Sequence, residues 1–158
     1  MVSLRPITEE AFAEIETWPP YEHEFEQMDY ALRHGGWLDE YRNRAETWIY
    51  IAESDKLRVG FSLLSVTAKG EAEFRIAIHP HLTGMGFGRQ VAIATLKIGF
   101  LKLKMDRIHL IVRKNNYPAM KLYENLGFRK TGESTHAIHG QPIEFFDMDV
   151  TMETFCTP

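Results

Sequence analysis

Phe74-Arg75-Ile76-Ala77-Ile78-His79-Pro80-His81-Leu82-Thr83-Gly84-Met85-Gly86-Phe87-Gly88-Arg89-Gln90 decides how this chain is read. A β-rich run passes through a proline into three glycines at alternate positions, and an amphipathic stretch follows. Glycines at that spacing let the backbone approach a ligand without side-chain obstruction. The helix behind them presents free amide N–H groups and the positive end of its dipole. Strand, anion cradle and helix are the predicted order, and a pyrophosphate is the group such a cradle suits. A plain flexible connection is the competing reading of any glycine-rich turn. The spacing excludes two common phosphate motifs. A dinucleotide fingerprint needs glycine at Arg89 or at Val91, and no G-x-x-x-x-G-K-[ST] occurs.

Working outward, the pattern alternates between strands and helices. Val2 to Pro6 reads as an edge strand, and Thr8 as the N-cap of a helix reaching about Thr17. Tyr21 to Arg44 reads as a helical region broken near Gly35-Gly36. Thr47 to Glu53 and Arg58 to Thr67 are β-rich runs joined at Ser54-Asp55, and Glu71 to His79 is a third antiparallel member. From Arg89 to Lys104 an amphipathic helix is expected, with Val91, Ile93, Ala94, Ile98 and Leu101 as its core stripe. Arg107 to Arg113 is a buried strand and Pro118 to Leu126 a short helix closed by Gly127. Phe128 to Glu133 and Ile143 to Thr151 form a terminal strand pair. The fold class is α/β in a mixed α+β sense: one domain over 1–158, with a central, mostly antiparallel sheet of six to seven strands flanked by about four helices. Within it, 1–46 is an acceptor-side helical region and 47–151 a cofactor-binding core.

Two motifs carry a family resemblance. Thr83-Gly84-Met85-Gly86-Phe87-Gly88 matches Q/R-x-x-G-x-G/A except at its first position, where Thr83 replaces a long polar side chain. Asn116-Tyr117-Pro118-Ala119-Met120-Lys121-Leu122-Tyr123-Glu124-Asn125-Leu126-Gly127-Phe128 matches N-x-x-A-x-x-L-Y-E-x-x-G-F at every specified position. In this order and at this separation the chain resembles the GNAT superfamily of acetyl-CoA-dependent N-acetyltransferases, most closely over about 47–150 and least over the first 46 residues. The resemblance implies acetyl-CoA as co-substrate. It would be held by Thr83 to Arg89, by the strand residues Ile76, Ala77 and Ile78, and by Asn116, Ala119 and Tyr123. Helix capping is an equally physical role for Asn116.

Amide formation sets the rest of the requirement. A lysine-like amine has a pKa near 10.4, so a proton must leave before nitrogen attacks a thioester. The resemblance implies a glutamate on the strand before the glycine turn, often working through water. Glu73 is the preferred base and Glu71 the alternative, because strand register decides which one faces the site. The departing thiolate, of pKa near 8.5, needs an acid, and the resemblance implies Tyr123; packing alone would make it a core aromatic. A backbone N–H of Ile76 to Ile78 is the expected donor to the developing oxyanion. No Cys or Ser nucleophile with a paired base stands out, which favours direct transfer in a ternary complex.

Composition agrees with one enzyme-sized domain: 158 residues, 44% hydrophobic, formal charge −4. No signal-peptide pattern or apolar span is evident, so a cytoplasmic protein without membrane partner is expected. Cys156 has no second cysteine to pair with. The histidines form no ligand pattern, and His136 and His139 are placed in a hairpin loop, so no metal is expected. Charge is uneven. Residues 1–50 hold four Lys or Arg against eleven Asp or Glu, and 89–130 hold ten against two. The basic half suits coenzyme A phosphates and the acidic half a cationic amine, with solvated helix faces the alternative for each. Nucleic acid is a poor partner for such a chain. A homodimer is compatible with the sequence, which does not fix the oligomeric state.

Acceptor choice falls to residues 17–46. Trp18, Tyr21, Trp37 and Tyr41 interleave with Glu22, Glu24, Glu26 and Asp29, a wall suited to an ammonium ion or, equally, a helix packing face. The expected acceptor is a small cationic amine. The alternatives are a protein N-terminus, a longer acyl donor, and a module that binds acyl-CoA without catalysis.

Overall fold

In a computed structural model, which describes residues 1–22, 30–33 and 36–155, seven strands form one sheet flanked by four helices. In chain order these are β1 (Ser3–Pro6), α1 (Glu9–Glu16), α2 (Trp37–Tyr41), β2 (Thr47–Ser54), β3 (Leu57–Ala68) and β4 (Glu71–Ile78). Then come α3 (Phe87–Lys97), β5 (Arg107–Arg113), α4 (Tyr117–Asn125), β6 (Arg129–Ile138) and β7 (Gln141–Thr151). The sheet order is β1-β2-β3-β4-β5-β7-β6. Every pairing is antiparallel except β4 with β5, as the α3 crossover between them requires.

That parallel pairing is short. Glu71, Ala72 and Glu73 meet Arg107, Ile108 and His109, and there it ends. β4 runs on to Ile78 alongside β3, while β5 runs on to Arg113 alongside β7. The two strands therefore part after Glu73 and His109, leaving a wedge whose β4 wall, Phe74 to Ile78, has among the described residues no strand on its β5 side.

Strand alternation assigns each wall a face. Phe74 and Ala72 join Leu64, Leu96, Phe100, Ile108 and Met120 in the core under α3 and α4. Ala77 joins Phe61, Leu63, Phe12 and Ile15 in the core under α1 and α2. Glu71, Glu73 and Arg75 share the phase of Ala77 and so face the α1–α2 side. Thr8 caps α1 by accepting from the Ala11 amide at 3.2 Å, as its position predicts.

Four sequence expectations change. The only described α-helix within Tyr21 to Arg44 is the five-residue α2; of the predicted break at Gly35-Gly36, Gly36 is its N-cap and Gly35 lies outside the described residues. The buried stripe of α3 is Val91, Ala92, Thr95 and Leu96, continued by Gly99 and Phe100 in a π-helical turn at Ile98–Lys102. Leu101, expected in the core, is 57% exposed. Thr95 hid the register: its hydroxyl bonds Ser62 Oγ and the Val91 carbonyl, both at 2.7 Å, so a polar residue is satisfied inside. The β2–β3 turn is Asp55-Lys56, both at positive φ, with Ser54 paired to Leu57. The terminal hairpin extends beyond its predicted ends, so His136 lies in β6. Its turn is His139-Gly140, both at positive φ, a primed two-residue turn that fits hairpin twist.

Candidate active site

Beyond β4 the chain enters the glycine turn. Gly84 and Gly86 have φ of +76° and +88°, a left-handed backbone that favours glycine, and a Cβ on either would meet nothing within 4 Å. Gly86 is the N-cap of α3 and offers no side chain, and the first intrahelical bond is Gln90 N–H to the Gly86 carbonyl at 3.3 Å. The amides of Phe87, Gly88 and Arg89 thus precede that bond and point out of the helix end. Open space, left-handed glycines and the N–H groups of a helix end fit a pyrophosphate. Met85 stands 62% exposed at this mouth, and Tyr117, at the start of α4, 71%.

α4 lies over the other wall. Pro118 sits in its first turn, Asn116 Oδ1 accepts from the Ala119 amide at 3.3 Å, and Gly127, at φ +101°, closes it with Phe128 N–H bonding the Tyr123 carbonyl at 3.0 Å. Asn116 therefore acts as a helix cap. Tyr123 projects inward, 7% exposed, edge-on to Phe74 with ring centroids 6.3 Å apart. Phe74 is the first residue past the end of the β4–β5 pairing. Burial pushes the Tyr123 phenol above its ordinary pKa, so it stays protonated and keeps its O–H.

Glu73 occupies the tip of the wedge on the opposite face. Its Oε1 accepts from the Tyr41 hydroxyl, and its Oε2 from Arg75 Nη2 at 3.3 Å. Tyr41, from α2, is itself pushed above its ordinary pKa, chiefly by burial and also by the bond to Glu73, against the opposing pull of Arg75. The Arg75 guanidinium lies 5.5 Å from the Trp37 ring centroid and 5.2 Å from that of Tyr41. Across the strand gap, His109 is the register partner of Glu73, with Nε2 2.7 Å from Thr67 Oγ1. Burial and the neighbouring Arg107 hold its pKa below the usual imidazole value, leaving the ring neutral. Glu71 is two residues inside the closed end and pairs with Arg107 at 3.4 Å. Of the two glutamates, Glu73 is the one at the opening.

The expected acceptor wall is partly spent on packing. Trp18 and Tyr21 are core residues, 5% and 6% exposed. Trp18 packs on His79 with ring centroids 4.7 Å apart and planes tilted by 52°, and the Tyr21 hydroxyl donates to the Ile78 carbonyl at 2.5 Å. Glu22 is exposed, while Glu24, Glu26, Asp29 and Cys156 lie outside the described residues. Much of the acidic surplus ties helices down: Glu10 and Glu14 to Arg58 at 3.2 and 3.0 Å, Glu9 to Arg42 at 2.7 Å, Glu40 to Arg44 at 3.1 Å. Sequence reasoning passed over Arg75 and His109. The Glu71-x-Glu73-x-Arg75 alternation was the signal for the first, and the second needed the strand register. Among the described residues no three His, Cys, Asp or Glu groups converge to hold a metal ion, and no helix is long and apolar enough to cross a membrane.

Comparison with known proteins matches residues 2–129 to the acetyltransferase (GNAT) domain family. The spermidine N(1)-acetyltransferase of Escherichia coli K12 is 39% identical over 72 residues, a match covering 44% of this chain and only 39% of that protein. Among solved structures, a chimera of the Vibrio cholerae spermidine N-acetyltransferase SpeG and hSSAT superposes with a TM-score of 0.78 at 23% identity, over 96% of each chain. The V. cholerae spermidine N-acetyltransferase in complex with CoA and spermine superposes with a TM-score of 0.73 at 22% identity, over 97% of this chain and 96% of that one. At such identities these two superpositions speak for the fold.

Proposed function

The chain belongs to the GNAT acetyltransferase family, and from that premise we propose that it transfers the acetyl group of acetyl-CoA to a primary amine by direct attack in a ternary complex. The observation that carries this reading is that Tyr123, packed on Phe74, and Glu73 lie on opposite faces of β4 where it leaves β5. The acetyl-CoA arm enters the wedge along Ile76 to Ile78, with its pyrophosphate on the Gly84 to Arg89 turn. The amine arrives from the α2 side, and Glu73 takes its proton, directly or through one water. Nitrogen then attacks the thioester carbon, whose oxygen is held by a backbone N–H of the unpaired β4 edge. As the C–S bond breaks, the sulfur takes the proton that Tyr123 offers. Glu71, committed to Arg107, is the weaker candidate for base.

The acceptor is a small amine that reaches the site as an ammonium ion. The polyamines named in the relatives' activities belong to that class, and the carboxylate at the wedge tip supports it. A cytoplasmic enzyme, without membrane or nucleic-acid partner, completes the proposal. A homodimer is proposed too, supported by the outer edge of β6, which has no strand beside it among the described residues; sedimentation tests it. Function is tested by following free thiol from acetyl-CoA across amines, with mass analysis of the product. An acetylated amine, formed only with the protein present, is expected. Thiol release without an acetylated amine would overturn the proposal.

A further inference from the structure

Arg75 is under-used. A guanidinium carries five N–H donors in a planar fork. Here its only hydrogen-bond partner among the described residues is Glu73 Oε2, at 3.3 Å, and its Nε is buried with no partner at all. A half-buried cation left so poorly satisfied is costly unless something else supplies oxygen atoms. The rings of Trp37 and Tyr41 flank it and offer none. The side chain still keeps 23% of its surface open, on the face and at the strand end where the acceptor is proposed to enter.

Glu73 is over-used by the same geometry. Oε1 already accepts from Tyr41 and Oε2 from Arg75, so the carboxylate proposed to take the amine's proton is engaged at both oxygens. An acceptor bringing only positive charge would approach Glu73 past a guanidinium whose one carboxylate partner is Glu73 itself. One bringing a carboxylate a few ångströms from its ammonium satisfies both residues. Its carboxylate pairs with the planar Arg75 fork, in the geometry that suits two parallel N–H···O bonds. Its ammonium meets Glu73.

We propose that Arg75 forms an anion subsite beside the base, so that the preferred acceptor is a small amine bearing a carboxylate, of the amino-acid class, and not a bare polyamine. This rests on the reading of Glu73 as proton acceptor. Occupying Arg75 with the acceptor's carboxylate loosens the contact to Oε2. That oxygen then takes the proton from the ammonium, the nitrogen keeps its lone pair, and the base is released only when an acceptor of the right charge pattern is bound.

Matched pairs isolate the carboxylate: ornithine against putrescine, and lysine against cadaverine, each differing by that group alone. The native enzyme with acetyl-CoA is expected to favour the carboxylate-bearing member of each pair at least tenfold in kcat/KM. Arg75→Gln is expected to bring the ratio to about one or reverse it. Because the ratio is read within each protein, a general loss of activity or stability cancels. A native preference for the diamines, or a ratio unchanged in Arg75→Gln, overturns the proposal. Calorimetric titration of lysine and cadaverine into the CoA-saturated protein makes the same comparison without turnover. Tighter lysine binding that needs Arg75, with no acetyl transfer, would uphold the subsite and fail the acetyltransferase reading. Equal binding would overturn the subsite.

Discussion

The proposed cofactor half and the proposed acceptor half of this wedge are built from different materials. Against α3 the chain works with backbone: left-handed glycines, amides ahead of the first helical bond, and a strand edge with no neighbour. Against α2 it works with side chains brought together from far apart, Tyr41 on Glu73 across 32 positions and Tyr21 on the Ile78 carbonyl across 57. A backbone site tolerates replacement of most side chains around it and is broken by adding one. A side-chain site is broken by removing one atom.

The largest effect is therefore expected at Glu73. Glu73→Gln keeps the shape, removes the proposed proton acceptor and leaves the Tyr41 hydroxyl a neutral partner. We expect kcat to fall about 10²- to 10³-fold, within the usual range for a general base, with acetyl-CoA affinity unchanged by calorimetry. A kcat within threefold of the native value, with chemistry limiting, would move the base elsewhere, to Glu71 or a water chain. Tyr123→Phe tests the facing wall. The ring contacts to Phe74 and Phe128 persist, so a drop of about 10²-fold in kcat without loss of fold would assign the hydroxyl to the departing sulfur. Because burial keeps the phenol protonated, its removal should lower the pH–rate profile uniformly and leave its limbs in place.

Gly86→Val reverses the logic by adding atoms. A Cβ there would meet no neighbour within 4 Å, which leaves the bound ligand as the main obstacle, although the left-handed φ adds strain of about 1–2 kcal/mol. Coenzyme A affinity should weaken at least tenfold in a protein that still unfolds cooperatively. Unchanged affinity would deny the turn its role as cradle.

What was legible beforehand follows the same division. The glycine turn and the capped short helix could be read because backbone needs leave local marks: glycine where φ is positive, Asn and Pro where a helix begins. Tyr123 came only with the family resemblance, since packing alone reads it as a core aromatic. The parallel β4–β5 contact was not legible, since three residue pairs leave no pattern of their own. Nor was the fate of the acidic surplus, because Glu10 and Glu14 meet Arg58 only through the tertiary fold. Trp18 and Tyr21 show the limit most plainly. Their composition suits an ammonium wall and a packing face equally, and only burial separates the two.

The smallest effect expected is on stability as pH falls, and it tells which half yields first. His79, packed against Trp18, has its pKa held down by burial and by His81; His109, at the wedge tip, by burial and by Arg107. In both, the fold resists a proton that the unfolded chain accepts near pH 6.5. Their contribution is whole above that pH and is lost as pH falls through and below it, because the unfolded state then binds more protons. Asp149 answers in a lower window. Burial alone would raise its pKa, but hydrogen bonds from Arg107 at 2.8 Å and Arg129 at 3.2 Å outweigh it, so its contribution fades only below the ordinary carboxylate value near 3.9. Urea midpoints should thus be level from pH 8 to 7 and decline between pH 6.5 and 5. His79→Gln and His109→Gln should each flatten part of that decline. If His79→Gln removes most of it, the acceptor half loosens first. If His109→Gln does, the β4–β5 seam gives way, and both walls of the site move together. A midpoint that is flat to pH 5 in the native protein would show that neither ring resists its proton, and the packing of Trp18 on His79 would then carry no cost on acidification.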